Sequence, residues 1–391
     1  MNGCSDKDNA SSTGRDGGNP TGGAGGTADG SSGSGGSGGT SPGQSGSGGS
    51  GGGSGGAGGS DAQPPGTDAA AGRGGSDAAS PDASGPKDGG GADGGKAGSG
   101  KSRVYIVKTT DRAAGIAQLL SLAGLGFAAG KDVVLKPNFN SSNPFPASTH
   151  DDTIRAVVTG LKGAGCGKIV LGESSGPSGT QAVIAAKGTL AFCQDLGIEF
   201  LDFDQMAATE WESFNFTGIG WSGGLAIPKI MRSGHAVVLM PCCKTHGFGG
   251  DFTMSLKLAV GLTPKTRRMT EMHVSPNIRS MIADINYGYK PDLIVMDAIS
   301  CFITGGPDSG TVANPSLLLA GSDRIAVDAV GVAVLKSAGS TTAALTRKIF
   351  EQDQIARAVQ IGLGAASPAQ IELVGDDAAV ISQLRGILDE G

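Results

Sequence analysis

The chain predicts an α/β domain built on a three-layer, mostly parallel sheet with helices on both faces, of the Rossmann-like, doubly wound kind. Two observations carry this. Short apolar runs such as His235-Ala-Val-Val-Leu-Met240 and Asp292-Leu-Ile-Val-Met-Asp297 are continuous rather than alternating, as strands buried on both faces must be. Amphipathic segments of helical period separate them, which is the βα alternation of a covered parallel sheet. A third observation bounds the domain. Residues 1–100 contain no Val, Leu, Ile, Phe, Tyr or Trp, so the sheet begins after them.

The elements follow in order. Ser102–Lys108 and Asp132–Lys136 read as strands, with a helix over Asp111–Leu125 between them. A helix over Asp151–Ala164, capped by Asp151 or Asp152, precedes the strand Lys168–Glu173. Gln181–Leu196 reads as one helix leading to a short strand, Glu199–Phe203. A looser region with Trp211 and Trp221 leads to the apolar strand that ends at Met240. Further strands are expected at Asp292–Asp297, Ser316–Ala320 and Ile371–Val374, and helices at Arg324–Lys336, Thr342–Ile361 and Ala378–Leu388. Asp323 stands where an N-cap belongs.

Residues 1–100 hold 37 of the 71 glycines and carry 5 Lys+Arg against 10 Asp+Glu. A segment without large apolar side chains cannot offset its conformational entropy, so it reads as a disordered tether, with an r.m.s. span on the order of 50–60 Å. Residues 102–391 read as a single α/β domain, and everything after residue 100 is close to neutral, with 25 Lys+Arg against 26 Asp+Glu. That balance, without a basic stripe, argues against nucleic acid as a partner. The six cysteines contain no C-x-x-C pair and are too sparse for a disulfide scaffold. Met1-Asn-Gly-Cys4 followed by a long polar stretch looks like the end of a bacterial lipoprotein signal, with Cys4 as the acceptor of lipid. On that reading the protein is extracytoplasmic and touches the membrane only through Cys4; otherwise it is cytoplasmic. No apolar run is long enough to span a bilayer.

Several strand ends carry polar residues that do not belong in a core: Lys136-Pro-Asn138, Gly172-Glu173-Ser-Ser, Cys242-Cys-Lys244-Thr-His246 and Asp297. In a doubly wound sheet the carboxyl ends gather along one edge, where ligands bind. Lys257, set among Met254, Leu256, Leu258 and Val260, must snorkel or meet an anion. Lys136, Lys244 and Lys257 therefore read as point charges for an anion, with Arg267 or Arg268 as a clamp. His246 and His273 are candidate acids or bases. Glu173 and Asp297 are candidates for handling protons or a cation. Gly306, in Gly305-Gly-Pro-Asp-Ser-Gly310, belongs to a loop suited to wrapping an anion with backbone N–H groups. Cys242-Cys243-x-x-His246 is a poor metal site, because adjacent residues on an extended chain point to opposite faces. Carboxylates Glu173, Asp297 and Asp328 with His246 would suit a harder cation better.

These motifs, in this order, resemble the bacterial and archaeal family called domain of unknown function 362. The resemblance runs from about Val133 to Lys336. It rests on Lys136-Pro-Asn138, Asp152-Thr153, Pro241…Lys244-Thr-His246, Thr253-Met-Ser-Leu-Lys257…Gly261, His273, Asp297, Gly305-Gly-Pro307…Gly310 and Asp323-Arg-Ile-Ala-Val-Asp328. Many members carry a ferredoxin-like domain with two four-iron clusters, which implies redox work for the family. This chain has no cysteine set for such clusters, and Leu258 stands where the family usually places Asn. The cofactor stays open.

Two functional readings follow. One is an enzyme acting on a small anionic or carbonyl-bearing substrate at the strand ends, with oxidoreduction as one option. Lys244, His246 and Lys257 would orient and polarise that substrate. The other is an envelope-tethered binding protein with an enzyme-like fold and no turnover. The tether reading has its own test. Limited proteolysis is expected to leave a core starting near Lys101 with an unchanged melting temperature; a fall of many degrees would show that residues 1–100 are part of the fold.

Overall fold

The computed structural model describes residues 100–390; the segment read as a tether, with Cys4, lies outside the described residues. The strands are β1 (Ser102–Lys108), β2 (Val133–Pro137), β3 (Ile169–Glu173), β4 (Glu199–Asp202), β5 (Trp211–Phe214), β6 (Leu225–Pro228) and β7 (Ala236–Met240). They continue with β8 (Cys242–Thr245), β9 (Phe252–Thr253), β10 (Leu293–Phe302), β11 (Val312–Ala313), β12 (Leu317–Gly321) and β13 (Ile371–Val374). The helices are α1 (Arg112–Ala123), α2 (Asp151–Gly163), α3 (Thr180–Lys187), α4 (Thr189–Leu196), α5 (Ser255–Leu258) and α6 (Lys265–Arg267). After them come α7 (Ile278–Ile285), α8 (Arg324–Ser337), α9 (Ala343–Thr346), α10 (Asp353–Gln360) and α11 (Ala378–Glu390).

Eleven strands form one sheet with the main order β13-β1-β12-β10-β7-β2-β3-β4, and β5 and β6 form a separate hairpin. The run β10-β7-β2-β3-β4 is parallel throughout. β12 alone breaks the pattern in this main order, lying antiparallel to both β1 and β10. From β2 the chain steps to β3 and β4 on one side, then returns to place β7 on the other side of β2. The order thus reverses at β2, and the gap between the connections that leave the neighbouring strands β2 and β7 is where a doubly wound sheet opens a crevice.

Side chains alternate across the sheet and build two cores. Val133, Leu135, Val238, Met240 and Val295 face a layer made by α1, α2, α3 and α4. Val134, Val237, Leu239 and Met296 face the layer of α5, α7, α8, α9, α10 and α11. Each buried Leu, Ile or Val contributes roughly 1.5–3 kcal/mol relative to exposure, so continuous apolar strands with helices on both faces are the stable solution. The three-layer α/β expectation is met.

Local corrections have local causes. The segment read as one helix over 181–196 is two, because Gly188 turns left-handed at φ +67° between α3 and α4. α2 is capped by His150, whose Nδ1 accepts the Asp152 N–H at 3.1 Å, rather than by Asp151 or Asp152. The expected helix over 342–361 is divided into α9 and α10. Asp323 does cap α8, accepting from Ile325 N and Ala326 N.

The largest correction concerns Asp297. β10 does not stop there but continues to Phe302. Asp297 shares the parity of Val295 and Ile299, so it faces the α1–α2 layer. There it accepts from Arg112 Nε at 2.8 Å, Thr153 Oγ1 at 2.7 Å and Ile299 N at 3.0 Å. It is a buried tie between the sheet and two helices. Asp297→Ala is expected to destabilise the fold by about 3–5 kcal/mol, since it strands the guanidinium and the hydroxyl. Denaturant titration measures that loss, and anion affinity of the protein that remains folded should be unchanged.

Candidate functional site

At the carboxyl ends of β2, β3 and β8 a cavity of about 320 Å³ opens, lined among others by Lys136, Glu173, Lys244, His246, Lys257 and Arg268. Its position follows from the topology, because β2 and β3 end on one side of the reversal and the β7–β8 segment on the other.

Lys136 has the parity of Val134 and meets Glu173 in a buried ion pair. Its ammonium also donates to Pro137 O at 2.8 Å. Glu173 accepts in addition from Phe139 N at 2.9 Å and Ser174 N at 2.8 Å, so both its oxygens are committed. Burial pushes the Lys136 ammonium below its ordinary pKa, and the charge of Glu173 opposes that shift. Gly261 closes over the pair. A Cβ there would sit 2.9 Å from Glu173 Oε1 and 3.0 Å from Lys136 Nζ, so any larger residue would wedge the pair open. Lys136 and Glu173 reach the cavity together, as a neutralised floor.

Lys244 is different. Its ammonium donates to two carbonyls, Ala147 O and Pro307 O (the latter at 2.8 Å), and no carboxylate lies within ion-pair distance. Burial holds its pKa below the usual lysine value. The Pro307 carbonyl is delivered by the glycine-rich loop. Gly306 is left-handed, and a Cβ on it would lie 2.1 Å from Thr245 O, so glycine is required for the loop to rest on the end of β8. The Gly306 N–H is spent on Ser309 O at 2.6 Å. Gly306 is therefore a supporting residue behind the wall, and the cavity is reached by Pro307 and Asp308 instead.

Lys257 lies on α5, a single turn whose start is fixed from α8. Asp328 accepts from Ser255 N at 2.8 Å, Ser255 Oγ at 2.5 Å and Leu256 N at 2.9 Å. Asp328 is fully buried, and desolvation raises its pKa to about 7 against the pull of those donors. It does not line the cavity; it sets the turn that carries Lys257. The Lys257 ammonium has neither a hydrogen bond nor an ion pair among the described residues. Burial first, then the charges of Lys244 and Arg268, bring its pKa down to about 7.

The arginine in the site is Arg268, not Arg267. Arg267 pairs with Glu271 and donates to Gly224 O and Ser222 O outside the cavity. Arg268 opens a π-turn, Arg268–Met272, of a kind frequent at functional sites. It is buried and donates to Ser174 Oγ, Ser174 O, Ser175 O and Val260 O, with Asp204 3.7 Å away. Its Nε has no partner. Two other buried lining atoms, Asn138 Oδ1 and Thr253 Oγ1, are also without partners. Unpaired buried polar atoms are costly, and three on residues that line one cavity mark where a bound molecule would complete the bonding.

His246 and His273 both line the cavity, His246 half-buried and His273 at the exposed rim. His246 Nδ1 accepts the Phe248 N–H at 3.1 Å, which assigns the proton of the neutral ring to Nε2. Burial and the neighbouring Lys257 and Lys244 charges depress His246, and burial with Lys257 and Arg268 depresses His273. Both rings are therefore neutral at physiological pH.

The structure thus brings together Lys136, Asn138, Glu173, Lys244, His246, Lys257 and His273, and leaves out Asp297, Arg267 and Gly306. Thr253, Gly261 and Asp308 stand within motifs quoted from the sequence but were given no role at the site. The parity of β10 was the available signal against Asp297; Thr253 was marked only by its place in the Thr253-Met-Ser-Leu-Lys257 motif. Among the described residues no group of three or more His, Cys, Asp or Glu side chains is arranged to hold a metal ion. Glu173, Asp297 and Asp328 are occupied in three separate hydrogen-bond networks. The site is cationic in excess: Lys136 and Glu173 cancel, and Asp308, held by Asn140 and Ser141, is one carboxylate against Lys244, Lys257 and Arg268. Lys244 and Lys257 have no carboxylate partner within ion-pair distance.

A folded-state lysine pKa depressed from 10.5 to about 7 means the unfolded chain binds more protons between those values, so this group's contribution makes stability rise with pH across that window. Lys257→Met removes the penalty. The variant is expected to exceed the parent by up to a few kcal/mol near pH 6, with the gain shrinking towards pH 10. Melting temperatures of both proteins across that range measure it.

No curated protein is similar to the chain at a significant level. The sequence profile described as Domain of unknown function (DUF362) matches residues 133–333. That span is more than half of the 391 residues and holds every residue that lines the cavity. The chain belongs to the DUF362 family.

Proposed function

We propose that the cavity binds a small organic anion that carries a carbonyl group, and that the chain acts on it as an enzyme. The observation that carries this reading is the unpartnered Lys257 ammonium, held beside Lys244 and Arg268 in a half-enclosed space. Asp308 offsets part of the charge of Lys244 and Lys257, but among the described residues neither has a carboxylate within ion-pair distance, and an added anion would relieve the like charges. In this reading the anionic group meets Lys244 and the Arg268 Nε, and the carbonyl oxygen meets the Nε2–H of His246. Asn138 Oδ1 and Thr253 Oγ1 would take up hydroxyl or amide groups of the ligand. The near-neutral Lys257 supplies a group able to exchange protons at physiological pH, which a simple receptor does not need, and the neutral imidazoles supply hydrogen bonds.

Calorimetric titration with pyruvate and with lactate tests the binding half. Both are expected to bind below pH 7, with affinity falling as pH rises above 7, because the anion prefers the protonated Lys257. Lys244→Met should weaken both by tenfold or more, a loss of at least about 1.4 kcal/mol. Absence of binding, or binding indifferent to Lys244, would refute the reading. Binding of carbonyl compounds with no chemical change in any of them would favour the tethered receptor instead.

A further inference from the structure

We infer that Lys257 is a covalent catalyst: its amine attacks the carbonyl carbon of a 2-oxo acid bound in the cavity and forms an imine. The inference rests on the anionic-carbonyl reading above and adds to it the bond that forms.

Four features of the geometry converge on this amine. It is the lysine of the cavity that no protein group engages, whereas Lys136 is bound to Glu173 and Lys244 to two carbonyls. Acceptors around an ammonium favour its protonated form, which has no lone pair; Lys136 and Lys244 have such acceptors and Lys257 has none among the described residues. Its backbone is held rigidly, because the Ser255–Leu256 start of its turn is clamped by Asp328 from the buried α8. Its stem is confined as well, since a Cβ at Gly250 would touch Lys257 Cδ and Cε at 3.0 Å. Finally, Lys244 and Arg268 lie close enough to repel its charge, and burial acts in the same direction. Desolvation together with a neighbouring cation is the established way to make a lysine nucleophilic near neutral pH.

The chemistry balances without any outside oxidant or reductant. The neutral amine forms a C–N bond to the carbonyl carbon, and the carbonyl oxygen gains a proton as nitrogen loses one, giving a carbinolamine. Loss of the hydroxyl with a second proton releases water and leaves the C=N bond. The Nε2–H of His246 is placed to hydrogen-bond the oxygen as it becomes the leaving hydroxyl. The carboxylate of the oxo acid would lie against Lys244 and Arg268. The wall beyond is apolar, with Leu258, Val260 and the exposed Phe248 and Met269 at the mouth, so a side chain on the oxo acid is accommodated there. The substrate class is accordingly a 2-oxo acid with an apolar side chain.

The full chain is incubated with pyruvate or phenylpyruvate and treated with borohydride, and the products are mapped by peptide mass spectrometry. One reduced adduct per chain is expected, on the peptide that contains Lys257, with phenylpyruvate giving the greater yield at limiting concentration. Excess lactate, which has the carboxylate but no carbonyl, should suppress it. Lys257→Arg keeps the charge and should bind lactate yet give no adduct. Lactate binding with no adduct at Lys257, or adducts spread over surface lysines, would overturn the imine while leaving the anion site standing. Failure of lactate and both oxo acids to bind would remove the reading beneath it and the imine with it.

Discussion

The site is organised by the cost of keeping cations out of water in one small space. Lys136, Lys244, Lys257 and Arg268 all reach the same cavity, and each buried charge without compensation is expensive. The protein solves the problem differently for each. Lys136 is given a carboxylate, Glu173, itself fixed by two backbone N–H groups. Lys244 is given two carbonyls, and Arg268 a set of carbonyls and a hydroxyl with Asp204 behind. Lys257 is given nothing, and its proton affinity falls accordingly.

The surrounding fold serves these arrangements. The reversal of strand order at β2 brings β3 and β8 ends to one crevice. Gly261 and Gly306 are needed at positions where a Cβ would strike the Lys136–Glu173 pair or the Thr245 carbonyl. The buried α8 carries Asp328 to the turn of Lys257, so a group outside the cavity determines where the free amine sits. This links the core packing of one layer to the chemistry of the site. Softening α8 or its contact with α5 would cost precision at Lys257 before it cost the fold.

Much of this was legible in the sequence for a physical reason. Continuous apolar strands and helical spacers imply a covered parallel sheet, and polar residues at strand ends imply a shared edge. Lys136 and Lys244 were visible as charges at strand ends, and Lys257 because a lysine among apolar neighbours is anomalous. What misled was the treatment of strand ends as interchangeable. Asp297 sits in mid-strand on the opposite face, where parity sends it to Arg112 and Thr153. Arg267 and Arg268 are adjacent, and it is their distant partners, Gly224 and Ser222 for one and Ser174 and Ser175 for the other, that distinguish them. The loop at Gly305–Gly310 looked like an anion cradle, but its Gly306 N–H is used within the loop, and it contributes a carbonyl to Lys244 instead. Such outcomes depend on hydrogen bonds between distant segments, and these leave no local trace.

The central claim is that Lys257 is an unpaired, desolvated amine, and its own titration tests that most directly. Competitive acetylation of the full chain across pH 5–11, read at the Lys257 peptide, gives its ionisation midpoint. The account predicts a midpoint near pH 7 in the free protein, moving upward when lactate is present, because a bound anion stabilises the ammonium. A midpoint at the ordinary lysine value of about 10.4, unmoved by lactate, would contradict it.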